Sequence, residues 1–237
     1  MKQNVKLPPK TNLEKIDGFT QKVIFIAVAV GAIALLLVCV GIGTPNWESS
    51  YISIGSGAYA QLGTANFFYT CSFTNGTYNN CTSRTTNLTN YPRYTSTAPW
   101  MTDYNLRMQN AAGLCIVGIV FLFFGIVITL LMAFISFSLW LNLLSPILIF
   151  CACLFMLAGM AEGARYLLFN DYAANLYQAG HLLTMLTLLI SAFAAGRIHL
   201  VRMKEEQEAE AKKKAIPIII TTPMMPKTTT VAKPPAK

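Results

Sequence analysis

The residues that could carry chemistry in this 237-residue chain are few: six cysteines, two histidines, and three Asn-X-Thr triplets at Asn75, Asn80 and Asn87. Cys71 and Cys81 stand ten residues apart, a separation that a hairpin closes, and in an oxidising compartment such thiols pair by default. A loop this short contributes about 3 kcal/mol in the chain-entropy picture. The three triplets are acceptors for N-glycosylation on the lumenal side of a membrane; the competing reading is that a Thr/Asn-rich stretch produces them by composition. Cys39, Cys115, Cys151 and Cys153 lie in long apolar runs, where a thiol serves as a small, polarizable packing group. Cys39 and Cys115 fall at similar depth near the outer ends of neighbouring helices, which leaves a second bridge open. None of the six has a His or carboxylate at zinc-ligand spacing, so neither a metal nor a cofactor is expected. Glu162 and Arg165 form an i,i+3 pair at a helix end, and His181 is a lone ring read as a packing or hydrogen-bonding residue. With no nucleophile–base pair and no phosphate loop, no catalytic residue is expected and the chain does not read as an enzyme.

The elements that must position these residues follow from charge. Apolar residues make up 54% of the chain and charged ones 12%, about half the charge of an ordinary globular domain at roughly 25%. Residues 23–47, 108–161 and 172–196 contain no Asp, Glu, Lys or Arg. A bilayer core takes about 20 apolar residues of helix, so these runs hold one, two and one spans. The middle run as one helix would be about 80 Å long at roughly 1.5 Å per residue, so a turn must divide it. The Ser, Trp and Asn residues around 135–142 supply one, with Ser145-Pro146 able to open the next helix. The expected order is an N-terminal segment 1–22, spans 23–43, 110–134, 143–162 and 179–200, a long loop 44–109, a turn 135–142, a short loop 163–178 and a tail 201–237. The first span reads as retained rather than cleaved, because its leader contains acidic residues and its core exceeds that of a signal peptide.

Residues 1–22 carry five Lys against Glu14 and Asp17, and the tail from Arg197 carries nine basic against four acidic residues. Both termini therefore read as cytoplasmic and the long loop as external, the side on which its three triplets would be glycosylated. Within that loop, Tyr59–Gly63 and Asn66–Phe73 are short, aromatic and punctuated by Gly, as antiparallel strands are. Asn75-Gly76 and Asn79-Asn80 offer turn chemistry between the two cysteines. The loop's charges are Glu48, Arg84, Arg93, Asp103 and Arg107 alone. Glu205 to Lys214 continues the last helix as a charged turn or two, and beyond Pro217 the Thr/Pro/Lys-rich tail reads as disordered. Lys212–Lys214 and the basic residues at the membrane exit suit anionic lipid.

Trp47, Asn66-Phe67-Phe68, Cys71 and, after nine intervening residues, Cys81 resemble the first-loop signature of the claudin superfamily. That group includes the peripheral myelin and epithelial membrane proteins and the calcium-channel gamma and glutamate-receptor auxiliary subunits. The family pattern is Trp, about twenty residues, Gly-Leu-Trp, two residues, Cys, eight to ten residues, Cys; here Asn66-Phe67-Phe68 stands in place of Gly-Leu-Trp. Arg107, just ahead of the second span, resembles the basic residue that the family places there, and Leu176–Gly180 resembles its entry to the fourth helix. The resemblance covers most of residues 23–200. It implies an all-α membrane protein with a small extracellular β-sheet, built as a left-handed four-helix bundle, in which Trp47, Phe68 and the disulfide anchor the sheet to the membrane surface. Small residues suit such packing: Ala27, Ala29, Gly31, Ala32 and Ala34 in the first helix, Ser191, Ala192, Ala194, Ala195 and Gly196 in the fourth. The plainer reading of Trp47, Trp100 and Trp140 is an interfacial aromatic belt.

Two functions follow from the resemblance. One is contact between proteins in cell–cell adhesion, junctions or membrane organisation at the plasma membrane, with a second copy of the chain as partner. The alternative is an auxiliary subunit that packs against an ion channel or receptor. Membrane lipid is a partner in either case and nucleic acid in neither. A channel in its own right would need pore-facing polar residues that nearly aliphatic helices do not offer.

Overall fold

Four helices dominate: α1 (Gly18–Gly43), α2 (Pro99–Leu131), α3 (Leu139–Gly163) and α4 (Tyr172–Ala215). Each is long and apolar enough to cross a membrane, and each exposes Leu, Ile, Val or Phe on its outside, as Leu36, Phe124, Leu154 and Leu189 do. In the computed structural model the described residues are 17–74, 77–83, 99–135, 139–165 and 167–215. The chain divides into two units, residues 1–199 and 200–237. The described part of the second, Leu200–Ala215, is helical, and from Leu200 to Ala211 its side chains are exposed except Arg202, which is half-buried.

The buried positions of every helix follow one spacing. In α1 they include Thr20, Ile24, Ala27, Gly31, Ala34, Val38 and Gly41, alternating steps of four and three. In α2 the same alternation runs Met108, Ala111, Cys115, Gly118, Leu122, Gly125 and Thr129, and Met132 just past its end keeps the step. It runs Asn142, Ser145, Ile149, Ala152, Met156, Gly159 and Gly163 in α3, and Ala173, Tyr177, Gly180, Thr184, Thr187, Ser191 and Ala194 in α4. A mean period of 3.5 residues places one stripe of each helix against its neighbours. The stripes are rich in Gly, Ala, Ser and Thr. A β-carbon on Gly180 would lie 3.0 Å from both the Ala34 carbonyl oxygen and the Val38 nitrogen, so α1 and α4 are in backbone contact there. Ala29, Ala32, Ala192 and Gly196 face outward instead, so six of the ten small residues expected at helix contacts are buried.

Three elements differ from expectation. Pro146 lies inside α3 rather than at its start; a span tolerates Pro where neighbouring groups satisfy the freed backbone. Helix α2 begins at Pro99, a residue suited to a first turn, and α4 begins at Tyr172. Hydropathy marks the apolar part of a helix, whereas hydrogen bonding carries the helix past it.

Between α1 and α2 the described residues form a four-stranded antiparallel sheet in the order β1 (Glu48–Gly55), β2 (Ala58–Ala65), β3 (Tyr69–Thr74), β4 (Thr77–Ser83). The β1–β2 turn passes through Gly55 and Gly57, both at positive φ, where glycine carries no steric cost. Between β2 and β3 the turn is made by Asn66, whose Oδ1 accepts from the Phe68 and Tyr69 N–H groups at 2.7 and 2.6 Å. Its Nδ2 donates to the Thr44 carbonyl at 3.0 Å. The expected strand from Asn66 thus starts only at Tyr69, because Asn66 spends its amide on the turn. Asn79-Asn80 lies within β4, with Asn80 facing Ser72, and not in a turn; Asn75-Gly76 is outside the described residues.

Candidate functional site: the seat of the sheet on the bundle

Helix α1 must end near Gly43, since Thr44-Pro45 cannot continue it. Pro45 has no N–H to offer the Gly41 carbonyl four residues back. The Trp47 indole supplies the missing donor, Nε1–H to Gly41 O at 2.6 Å. Its ring is fully buried among Phe67, Phe169 and Tyr177, with centroids 4.5, 5.2 and 5.2 Å away. One residue of the long loop thereby touches the sheet, the short loop and α4. An interfacial belt position describes Trp140, which is 81% exposed, and does not describe Trp47; the Trp100 side chain is outside the described ones.

Of the two adjacent phenylalanines, Phe67 enters this core and Phe68 is only partly buried against it. Phe67, and not the expected Phe68, is the phenylalanine that fills this core: the Asn66 turn aims it inward, and a β-carbon on Gly163 would collide with its ring.

The disulfide joins Cys71 to Cys81, directly opposite residues of β3 and β4. Cys71 is buried and Cys81 exposed. Cys39, Cys115, Cys151 and Cys153 are free thiols, so the bridge left open between Cys39 and Cys115 is not formed. Asn80 is exposed on β4; Asn75 and Asn87 lie outside the described residues. Arg107 donates to Glu162 at 2.8 Å, joining the start of the apolar part of α2 to the end of α3. The expected Glu162–Arg165 pair is also present, at 3.8 Å.

A polar latch completes the seat. The Asn170 side chain pairs with both backbone groups of Ser49, accepting from its N–H at 2.9 Å and donating to its carbonyl at 3.0 Å. Asp171 accepts from the Ser49 hydroxyl and from Asn46 Nδ2, and Gln61 donates to Ser49 Oγ at 3.0 Å. Backbone bonds run alongside, Asp171 N–H to Trp47 O and Ala173 N–H to Asn46 O, while Glu48 accepts from the Leu168 N–H at 2.9 Å. Residues 170–173 thus lie against residues 46–49 much as a neighbouring strand would. Asn46, Ser49, Asn170 and Asp171 carried no sequence signal as a group, since their contacts join residues more than 120 apart.

Deeper in the bundle Thr129, Ser145 and Ser191 bring three hydroxyls together, with Ser145 and Ser191 3.0 Å apart. The His181 ring meets the Cys153 carbonyl at 3.2 Å. These groups satisfy one another between helices, and among the described residues no three His, Cys, Asp or Glu side chains come together as a metal site would require.

Beyond the seat, the β1–β2 hairpin exposes Tyr51, Ile52, Ile54, Tyr59 and Leu62, within a stretch, residues 49–83, that contains no charged residue. No protein-family model matches the chain, and no curated protein does.

Proposed function

We propose that this chain is a claudin-like four-span membrane protein acting by protein–protein contact in cell–cell adhesion, junctions or membrane organisation. Its termini are cytoplasmic, its sheet is on the external face of the plasma membrane, and its external loop is glycosylated. The observation that carries the reading is a hairpin, uncharged from Ser49 onward, that exposes Tyr51, Ile52, Ile54, Tyr59 and Leu62 and is seated on a membrane-length bundle. Exposed apolar patches of this kind mark interaction sites, and the Trp47 core with the Asn170–Asp171 latch fixes the patch relative to α1 and α4. Support for the claudin-like architecture comes from the burial of Trp47, the cross-strand Cys71–Cys81 bridge and the 3.5-residue burial period of the helices, which is the period of left-handed packing.

A second reading, an auxiliary subunit of a channel or receptor, is favoured by one feature. Ala192 and Gly196 face outward one turn apart on α4, and a β-carbon at Gly196 would meet nothing within 4 Å, which leaves room for a foreign helix to approach closely. Purification from native membranes in mild detergent, with mass spectrometry and sizing, separates the two. Recovery of the chain mainly with itself, in large assemblies concentrated at cell borders, is expected. Recovery with a channel or receptor at fixed stoichiometry would replace the first reading by the second, and a lone monomer would refute both.

A further inference from the structure

Strand β1 is an edge of the sheet. Its start is already paired on the outer side: Trp47, just ahead of the strand, and Ser49 accept from Asp171 and Asn170, and the Ser49 N–H donates to Asn170. That cover stops at Ser49. From Ser50 to Gly55 every residue is exposed, and among the described residues the strand hydrogen-bonds only towards β2. Proteins normally guard such an edge with Lys, Pro or an inward charge. Here Ser50–Gly55 has none of these, and the uncharged run extends on to Ser83; a bulge is a further guard, and the segment's irregularities are register shifts against β2 at Ser50/Tyr51 and Ser53/Gly55. The other edge, β4, carries the Asn80-Cys81-Thr82 triplet with Asn80 exposed, so a glycan there would shield β4 and leave β1 open.

We infer that the outer edge of β1, residues 50–55, is a strand-pairing surface for β1 of a second copy of this chain, in antiparallel two-fold register with Ser53 opposite Ser53. The inference rests on the reading of the sheet as a contact surface and names the part of it that makes the contact. A second copy is the occupant that the charge pattern suits: the chain is +8 overall, yet two of these edges meet without any like-charge juxtaposition, the feature that normally rejects self-pairing. The side chains are also self-complementary. With Ser53 on the two-fold axis, Ile52 of one copy lies opposite Ile54 of the other, covering two β-branched side chains that stand 47% and 65% exposed. β-branched cross-strand pairs are favourable on a sheet surface. The contact is isologous and closes as a dimer, and the pairing continues the strand-like contact that residues 170–173 begin.

Cysteine substitution in the full-length chain, expressed in cells, tests the register. Directly opposite residues are close enough to bridge, as Cys71 and Cys81 are in this same sheet with Cα atoms 4.0 Å apart. Ser53→Cys should form a disulfide-linked dimer under mild oxidation well above the background of the wild-type free thiols, and Tyr59→Cys on β2 should not. Co-expressed Ile52→Cys and Ile54→Cys chains should cross-link with each other. Charge reversal provides the independent arm: Ser53→Lys alone and Ser53→Glu alone should each lose co-purification of differently tagged copies by about tenfold or more, and mixing the two should restore it. Surface delivery of each variant reports folding. The inference is overturned if Ser53→Cys reaches the surface yet gives no dimer above background. It is also overturned if a cysteine placed within residues 84–98 captures Ser53→Cys inside one chain, because the edge would then be covered by its own loop. Cell-border assemblies that persist in Ser53→Lys would sink this edge but not the adhesion reading, whereas a wild-type chain that never self-associates would sink both.

Discussion

Trp47 does two separable jobs, and two substitutions pull them apart. Trp47→Ala removes a fully buried ring that packs on Phe67, Phe169 and Tyr177, and large aromatic truncations in a core cost about 3–5 kcal/mol. Trp47→Phe keeps most of that packing but loses the donor to Gly41 O, leaving the last turn of α1 with a carbonyl that Pro45 cannot satisfy. An unsatisfied buried acceptor costs about 1–3 kcal/mol. The expected order of stability is therefore wild type, Trp47→Phe, Trp47→Ala, with the alanine variant losing protection of the sheet as well as overall stability. Thermal unfolding in one detergent measures the first quantity, and limited proteolysis within residues 46–83 measures the second. If Trp47→Ala lies within about 1 kcal/mol of wild type with its sheet equally resistant, the seat is not what holds the sheet. If Trp47→Phe is as damaging as Trp47→Ala, the hydrogen bond and not the ring carries the effect.

Other substitutions probe the bridge and the helix contacts. Cys71→Ser, Cys81→Ser and the double substitution should impair surface delivery equally, each losing about 3 kcal/mol of closure; a clear inequality among the three would argue against a shared bridge. Gly180→Ala puts a methyl 2.6 Å from Val38 Cγ1 and 3.0 Å from the Ala34 carbonyl oxygen. The overpacking costs about 1–3 kcal/mol and should outweigh the gain in helix propensity of about 1 kcal/mol. Gly196→Ala meets nothing within 4 Å and should be neutral or stabilising, so equal melting temperatures for the two would contradict the close α1–α4 approach. Ser145→Ala and Ser191→Ala should each cost about 0.6 kcal/mol, the average for hydroxyl contacts between spans. Their effects should be non-additive in a double-mutant cycle; strict additivity would mean that the 3.0 Å contact contributes nothing.

The parts of this fold that were legible in the sequence are those set by composition over a long window. Runs without charge located the four membrane-length helices, because burying a charge in a bilayer core costs too much to be hidden. Aromatic and Gly rhythm located strands in the loop, and the spacing of Cys71 and Cys81 matched a cross-strand bridge. Helix ends were less legible: Pro99, Leu139 and Tyr172 open helices in polar or mixed sequence that a span criterion leaves out. The packing faces were hidden for a different reason. A helix that is apolar all round offers no polar side from which to infer a buried one, and the usable signal was the recurrence of Gly, Ala, Ser and Thr every three and four residues. Read without that period, Ala27 and Ala29 look equivalent, yet one is buried and the other faces out. Phe67 and Phe68 likewise differ only through the Asn66 turn, which depends on a bond to Thr44, 22 residues away.

The seat joins the sheet to the helices within the first unit. Residues 46–49 lead out of α1 into β1, and residues 170–173 lead into α4 at Tyr172, so the bonds between these two short runs join the start of the strand to the start of the helix. Trp47 adds the end of α1 through the Gly41 carbonyl and the sheet's second turn through Phe67. A force on the exposed hairpin therefore reaches two spans through hydrogen bonds and packed rings, with no flexible linker between. The proposed contact function needs that property, since a contact surface on a loose tether would lose in ordering entropy much of what it gained in contact.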